Sequence, residues 1–355
     1  MAPAPACGAL KQATEGEIEV ARVVRLHAFG GPEHLRIEDV SSPQPGRGEV
    51  RLSVRAARVT RDHYTFMKGR QFKGHGFEQP RLPSRLGYEA AGVVEAVGPE
   101  VDAAWIGRRV APLPGFDESR YGVLGDVAIL PAHTLCEYPE RLTPEQAASI
   151  WVPYLTAYGP LVPIARVAQG DFVVVLAASS AVGLSAMQIA RDAGAAVVAV
   201  SRTSAKKDDL LSSGASHVIA LEEDDYVGRI DEITGGRGAR VTLDPIGGPL
   251  VERLAMAAAP GGIVVEYGVM SGQPAPLPIA PLIGKGLSIR GYTLNDVLGQ
   301  PETALAARKY ILERLADGRF TPRVARTFPL ERIVDAYQFV LTNQQMGTVV
   351  LDCSR

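Results

Sequence analysis

The sequence predicts an α/β protein in which a doubly wound parallel sheet is joined to a second, β-rich unit. Three observations predict it. The chain has 355 residues, more than one hydrophobic core usually serves, so two domains are expected. From Gly170 onward, short apolar runs alternate with amphipathic stretches, which is the rhythm of βαβ units. Between Val50 and Val110 the texture differs: short strands follow one another closely through turns, as in a small barrel or sandwich.

Each element has its own signal. Ala, Pro and Gly crowd residues 2–9, and residues 1–20 read as a flexible tail; they carry Glu15, Glu17 and Glu19 and no apolar core, unlike a signal peptide. Val50, Leu52 and Val54 alternate with Arg51, Ser53 and Arg55, the period of a half-buried strand. The run 92–98 is a second strand, bounded by glycines. Thr143 as cap and Pro144 at the first position open a helix predicted over 144–158. Residues 171–176 form an apolar run suited to a strand buried on both faces. A helix over 182–193 follows, with Val182, Ala186, Ile189, Ala190 and Ala193 on one face. Strands are predicted at 195–200, 217–220, 241–244 and 263–267, and helices at 204–213, closed by Gly214, and at 251–259. Two amphipathic helices, 302–316 and 331–341, precede a strand at 347–351 that returns to the first domain.

Bulk properties exclude several classes. The formal net charge of −2 argues against a general polyanion binder. Apolar stretches are interrupted well short of the roughly 18 residues that a membrane helix needs. Cys7, Cys136 and Cys353 are scattered and form no CxxC pair, so no disulfide framework is expected and the cytoplasm is the expected compartment.

The informative turn is 177–183, Ala-Ala-Ser-Ser-Ala-Val-Gly, which ends a buried strand and opens a helix. Small residues there let backbone N–H groups and a helix N-terminus approach a pyrophosphate, so Ser179, Ser180, Ala181 and Val182 are candidate cofactor contacts. GxGxxG is not literally present, and a small-residue turn in an unrelated α/β domain is the bland alternative. The end of the second strand reads Ser201-Arg202-Thr203-Ser204-Ala205-Lys206-Lys207, with no acid for the ribose hydroxyls. Ser201, Arg202 and Lys206 suit a 2′-phosphate instead, and basic residues at a helix start are otherwise disfavoured by the dipole. This predicts NADPH rather than NADH. Tyr267, Gly268 and Val269 follow a strand at the carboxyl edge of the sheet, where ligands bind, and their backbone groups suit a carboxamide.

These residues resemble the medium-chain dehydrogenase/reductase superfamily, and within it the quinone oxidoreductase-like branch, over about residues 23–351. The resemblance is carried by an ordered set of segments: 26–33 (Leu-His-Ala-Phe-Gly-Gly-Pro-Glu), 86–94 (Leu-Gly-Tyr-Glu-Ala-Ala-Gly-Val-Val), 154–158 (Tyr-Leu-Thr-Ala-Tyr), the turn at 177–183, 244–249 (Asp-Pro-Ile-Gly-Gly-Pro), 290–292 (Arg-Gly-Tyr) and 343–347 (Asn-Gln-Gln-Met-Gly). It implies a GroES-like catalytic domain over 21–150 and 296–355, an inserted Rossmann NADPH-binding domain over 151–295, and a homodimer built through strands near 263–267 or 287–292. It also implies cofactor contacts for Thr156, Tyr292 and Asn343.

Where zinc-using relatives carry metal ligands, this sequence has Thr60, Tyr88 and, near the third, Pro153-Tyr154. A tetrahedral catalytic zinc needs three protein ligands, so no metal is expected. Without that Lewis acid, reduction of a conjugated acceptor is better supported than alcohol oxidation, because hydrogen bonds suffice for an enolate or hydroquinone anion. Tyr64 is the first candidate donor or proton relay. Thr60 occupies the place of a nicotinamide-adjacent Asn in relatives, and Tyr154 is a further candidate beside Thr156. Asp62 and His63 suit acid/base work or a structural pair; Tyr88 suits packing or substrate contact. Phe66, Phe72, Phe77, Phe116 and Trp105 suit an apolar acceptor pocket or ordinary core. The expected function is an NADPH-dependent reductase of a quinone or of an activated C=C bond in an enone, enal or enoyl substrate. The alternatives are a narrow biosynthetic enoyl reductase and a non-enzymatic NADPH-binding protein.

Overall fold

The computed structural model describes residues 20–73 and 76–354. The tail expected over 1–20 lies outside them up to residue 19, and Val20 already opens a strand, Val20–Leu26.

Six parallel strands form the cofactor-type sheet, in the order His217–Ala220, Ala196–Ser201, Phe172–Val175, Ala239–Asp244, Ala258–Glu266 and Ser288–Gly291. The first-made strand, Phe172–Val175, lies in the middle, so the strand order reverses there and its carboxyl end opens the crevice where such sheets bind ligands. Val173, Val174, Val175 and Leu176 are fully buried, as expected of a strand covered on both faces. Ala181–Asp192 packs on one face. Tyr226–Thr234 and Leu250–Ala257 pack on the other, through Tyr226, Ile230 and Leu254.

A second sheet has the order Val324–Pro329, Thr348–Asp352, Glu49–Val59, Ala90–Val97 and Arg109–Val110, with Val127–Pro131 also pairing Glu49–Val59. The returning strand Thr348–Asp352 runs antiparallel to Glu49–Val59, with Val349 opposite Val59. The β-rich unit is therefore closed by the last segment of the chain.

Two differences from the sequence expectation have physical causes. The helix expected over 144–158 is broken into Pro144–Ala147 and Trp151–Gly159. Pro153 lacks an N–H and its ring would clash with the carbonyl of residue 149 in a continuous helix, but it is tolerated in the first turn of a new one. The helix Pro301–Ala316, expected with the return to the first domain, buries Ala307, Ile311 and Leu315 in the core shared with Ala186 and Ile189. Its Arg314 pairs with Asp192 at the end of Ala181–Asp192 (Nε–Oδ2 2.5 Å).

The two units meet at Glu89, which is 2% exposed. Its carboxylate accepts from the Arg58 guanidinium on the neighbouring strand and from the backbone N–H of Val152 (3.0 Å), in the first turn of Trp151–Gly159. That N–H has no intrahelical partner, so the carboxylate supplies one. Burial pushes the Glu89 carboxyl up, while Arg58 and the Val152 N–H pull it back. Removing one member of such a buried pair strands the other charge. Glu89→Ala is expected to lower the unfolding free energy by about 3–5 kcal/mol. Urea denaturation checks this, and a loss below about 1 kcal/mol would place Glu89 among ordinary surface pairs.

Candidate functional site

The nucleotide-loop geometry follows from small side chains. Ala177 sits at φ 47°, a left-handed conformation usually left to glycine. This turns the chain out of the sheet. Ser180 then caps Ala181–Asp192, its Oγ accepting from Gly183 N at 3.0 Å. The N–H groups of Ala181 and Val182 lie in the first turn, where no intrahelical acceptor exists. A Cβ on Gly183 would stand 2.6 Å from the Ala178 carbonyl oxygen, so the helix seats closely only with glycine there. The arrangement fits a pyrophosphate.

At the end of the second strand, Ser201 is 9% exposed and its hydroxyl donates to Thr203 O at 2.7 Å. The Arg202 side chain is exposed, with Nε 3.8 Å from Glu222. Ser204 N donates to Glu223 at 2.9 Å. The strand end itself lacks an acid, but these two arrive from beyond the neighbouring strand His217–Ala220, an arrangement invisible in the linear sequence. Such an exposed pair contributes little, so Arg202 remains available to an anion. Lys206 donates to Ser179 Oγ (3.1 Å) and to the carbonyls of Asn343 and Gln345 (2.7 Å each). Asn343, at φ 59°, also accepts from Arg61 through its side-chain oxygen. Thr156 is buried in the bridging helix, at 8% exposure.

At the carboxyl edge, Asp244 and Glu266 end adjacent strands in register. Asp244 is fully buried and accepts from Ile246 N (2.6 Å) and Gly247 N (3.2 Å). Burial and the neighbouring Asp244 push the Glu266 carboxyl up to about 8, and burial raises Asp244. Both carboxyls are thereby held toward their protonated forms. Tyr267 N donates to Asp244 O at 2.9 Å, while its hydroxyl is buried with no partner. Gly268 lies so close to Pro245 that a Cβ would meet its carbonyl oxygen at 2.5 Å. Val269 is 69% exposed.

On the first-domain wall, Thr60 is buried and caps Arg61–Met67, its Oγ1 accepting from His63 N at 3.4 Å. His63 is buried beneath Tyr88, the rings edge to face at 5.1 Å, and its Nδ1 shares a 2.8 Å hydrogen bond with Tyr337 Oη. Burial holds its imidazole down at about 4, hence neutral. Asp62 does not pair with His63; it accepts from the Tyr88 hydroxyl. Tyr64 is half-buried, with the Lys68 ammonium 5.1 Å from its ring centre.

Two expected site residues belong to the core. Tyr154 is fully buried, stacks on Phe320 at 5.3 Å and donates to Gln188 Oε1 at 2.9 Å. Tyr292 packs onto Gly159 and donates to Leu155 O at 2.7 Å. Both hydroxyls are committed inside the protein, and burial raises both. Phe66 is core as well, Phe116 and Trp105 pack partly buried against it, Phe77 is 41% exposed, and the Phe72 side chain lies outside the described residues. Residues that the sequence did not single out are Arg61 and the Asp244–Glu266 pair. The available signal was a lone carboxylate at the end of the apolar run Ile263-Val264-Val265.

A cavity of about 610 Å³ lies elsewhere, between Ala181–Asp192 and Val324–Pro329, lined by Gln188, Ser213, Thr321 and Arg323 among others. Among the described residues, no three His, Cys, Asp or Glu side chains gather as metal ligands. Thr60 and Tyr88 supply neither thiolate nor imidazole, so these residues do not fit a catalytic zinc. Among the described residues, no helix is long and apolar enough to cross a membrane.

Comparison with known proteins agrees with this architecture. Residues 46–140 match the alcohol dehydrogenase GroES-like domain, and residues 181–309 match the zinc-binding dehydrogenase family. Quinone oxidoreductase of Homo sapiens is 30% identical over 331 residues, covering 91% of this chain and 94% of that protein. The chain belongs to the medium-chain dehydrogenase/reductase superfamily of oxidoreductases, in its quinone oxidoreductase-like branch. A 2-haloacrylate reductase of a Burkholderia species is 28% identical, covering 92% of this chain and 97% of that protein. The crystal structure of Escherichia coli quinone oxidoreductase complexed with NADPH superposes with a TM-score of 0.82 at 27% identity, covering 94% of this chain and all of that one (100%).

The carboxyl pair generates a pH prediction. The raised Glu266 value exceeds the ordinary 4.5 of an exposed glutamate, so the folded state binds the extra proton. Its contribution to stability is complete below about 4.5 and is lost as the pH rises through about 8. Glu266→Gln, which keeps a donor toward Asp244, is expected to flatten this fall between pH 5 and 8 relative to wild type (pH limits roughly those of the two protonation states). Unfolding curves across that range decide it; parallel pH profiles would exclude a raised Glu266 value.

Proposed function

We propose that this protein is an NADPH-dependent reductase that delivers hydride to a quinone or to an activated C=C bond without zinc. What carries the reading is the hydroxyl-lined, basic nucleotide turn together with Thr60 and Tyr88, which stand where zinc-using relatives carry ligands. The NADPH complex of the Escherichia coli relative and the quinone and 2-haloacrylate activities in the relatives' names support it.

The nucleotide-loop residues Ser179 to Val182 and the first turn of Ala181–Asp192 would hold the pyrophosphate, and Ser201, Arg202 and Lys206 the 2′-phosphate. Thr156, the backbone of Tyr267, Gly268 and Val269, and Asn343 would line the remaining cofactor surface. NADPH, when bound, supplies the hydride. The protein must orient the acceptor and stabilise the oxyanion that develops as it is reduced. Tyr64 is the candidate donor: no intramolecular hydrogen bond of its hydroxyl is found among the described residues. Thr60 retains an O–H for donation while its oxygen caps the helix.

The domain limits proposed are those of the resemblance, 21–150 with 296–355 and 151–295, with the helix Pro301–Ala316 packing against Ala181–Asp192 of the second unit. The reducing compartment proposed, the cytoplasm, suits the buried free thiols of Cys136 and Cys353. A homodimer is supported by the exposed edge strand Ser288–Gly291 and by Val269, Leu277, Ile279 and Ile283 beside it, which are 53–80% exposed. Ile283→Lys is expected to shift sedimentation from dimer to monomer; a monomeric wild type would rule the dimer out.

Absorbance of NADPH followed against 1,4-quinones, 2-alkenals, cyclic enones and enoyl thioesters tests the reaction. Turnover unaffected by chelator is expected. Tyr64→Phe should lower kcat by roughly a hundredfold, and Tyr154→Phe should leave it unchanged. Chelator-sensitive turnover of simple alcohols would overturn the reading.

A further inference from the structure

We infer that Lys206 is a latch on the C-terminal loop 342–347, and that the 2′-phosphate of a nucleotide is what releases it. The inference rests on the proposed role of Lys206 at the 2′-phosphate, but it concerns a second action of the same residue. The loop closes onto the nucleotide turn through the backbone. Gly347 N donates to Ser179 O at 2.9 Å, and Ser180 and Gly347 form a parallel bridge. Gly347 is at φ 106°, and a Cβ there would stand 2.2 Å from Arg323 O, so the close approach requires glycine.

Two cations clamp the loop from opposite walls. Arg61, at the start of Arg61–Met67, donates to Asn343 Oδ1 and lies 3.5 Å from the carbonyls of Val340 and Leu341. Lys206 donates to Asn343 O and Gln345 O at 2.7 Å each, and to Ser179 Oγ at 3.1 Å. An ammonium has three N–H donors, and all three are used.

Every acceptor on Lys206 is neutral, although the ammonium is half-buried; burial lowers its pKa and Asp209 opposes that. A cation held by neutral oxygens exchanges toward an anion, because an anionic acceptor adds a charge–charge attraction that the neutral oxygens lack. A 2′-phosphate at Ser201 and Arg202 would draw Lys206 away from Asn343 and Gln345. The loop would then lose its two contacts to Lys206 and keep those at Arg61 and Gly347.

Hydrogen exchange with 2′,5′-ADP and 5′-ADP as probes separates the two ideas. The reporters are the amides of Asn343 and Gln344, which donate to Val340 O and Thr342 Oγ1 when the loop is closed. Saturating 2′,5′-ADP is expected to speed their exchange about tenfold, the loss of roughly one hydrogen bond to a charged group, while saturating 5′-ADP leaves them slow. In Lys206→Met, exchange should be fast without nucleotide and unresponsive to 2′,5′-ADP. If calorimetry shows that 2′,5′-ADP binds no tighter than 5′-ADP, the 2′-phosphate role of Lys206 is wrong. If it binds tighter but these amides exchange unchanged or more slowly in wild type, the latch is wrong and the phosphate role stands. The wild-type comparison decides the matter even if the variant does not fold.

Discussion

A carboxylate buried between two units is costly unless every lone pair is used, and Glu89 uses its oxygens on both sides of the junction. Arg58 holds it from the first sheet and the Val152 N–H from the helix Trp151–Gly159. The positions of several site groups follow. Tyr88, its chain neighbour, is brought over His63, and the helix that carries Thr156 begins where the carboxylate accepts its N–H. Away from this junction, Arg61 and Lys206 meet at Asn343.

The nucleotide turn shows how little sequence such a cradle demands. Glycine is needed where another backbone comes within contact of a Cβ, as at Gly183. It is not needed at Ala177, where only the torsion is unfavourable and the surrounding turn supports it at a cost of about 1–2 kcal/mol. Ser180 adds a helix cap that glycine would not supply as well. The departures from GxGxxG therefore fall where substitution is cheap.

Elements with strong local signals were legible from the sequence. The run Val173-Val174-Val175 and the capped helix after Ser180 appear within a residue or two of where periodicity puts them. Less legible was anything decided by neighbours distant in sequence. Tyr154 and Tyr292 look like site residues because they flank site segments, yet their hydroxyls turn inward to Gln188 and Leu155. Glu222 and Glu223 reach the second strand end from a separate strand. The helix Tyr226–Thr234 was passed over, although Asp225 caps its start and Gly235, at φ 61°, ends it. Asp244 and Glu266 become a pair only because two parallel strands stand in register.

The return of Thr348–Asp352 to pair with Glu49–Val59 has a consequence for biosynthesis. Val59 is made long before its partner Val349. Meanwhile the six parallel strands between Phe172 and Gly291 are emerging in one uninterrupted block. Domains generally fold as units while the chain is being made, so the later-encoded sheet can reach its native form on the ribosome first. The earlier-encoded one then completes once Thr348–Asp352 has emerged, and until then residues 56–59 present an unpaired strand edge, which is open to pairing with another chain.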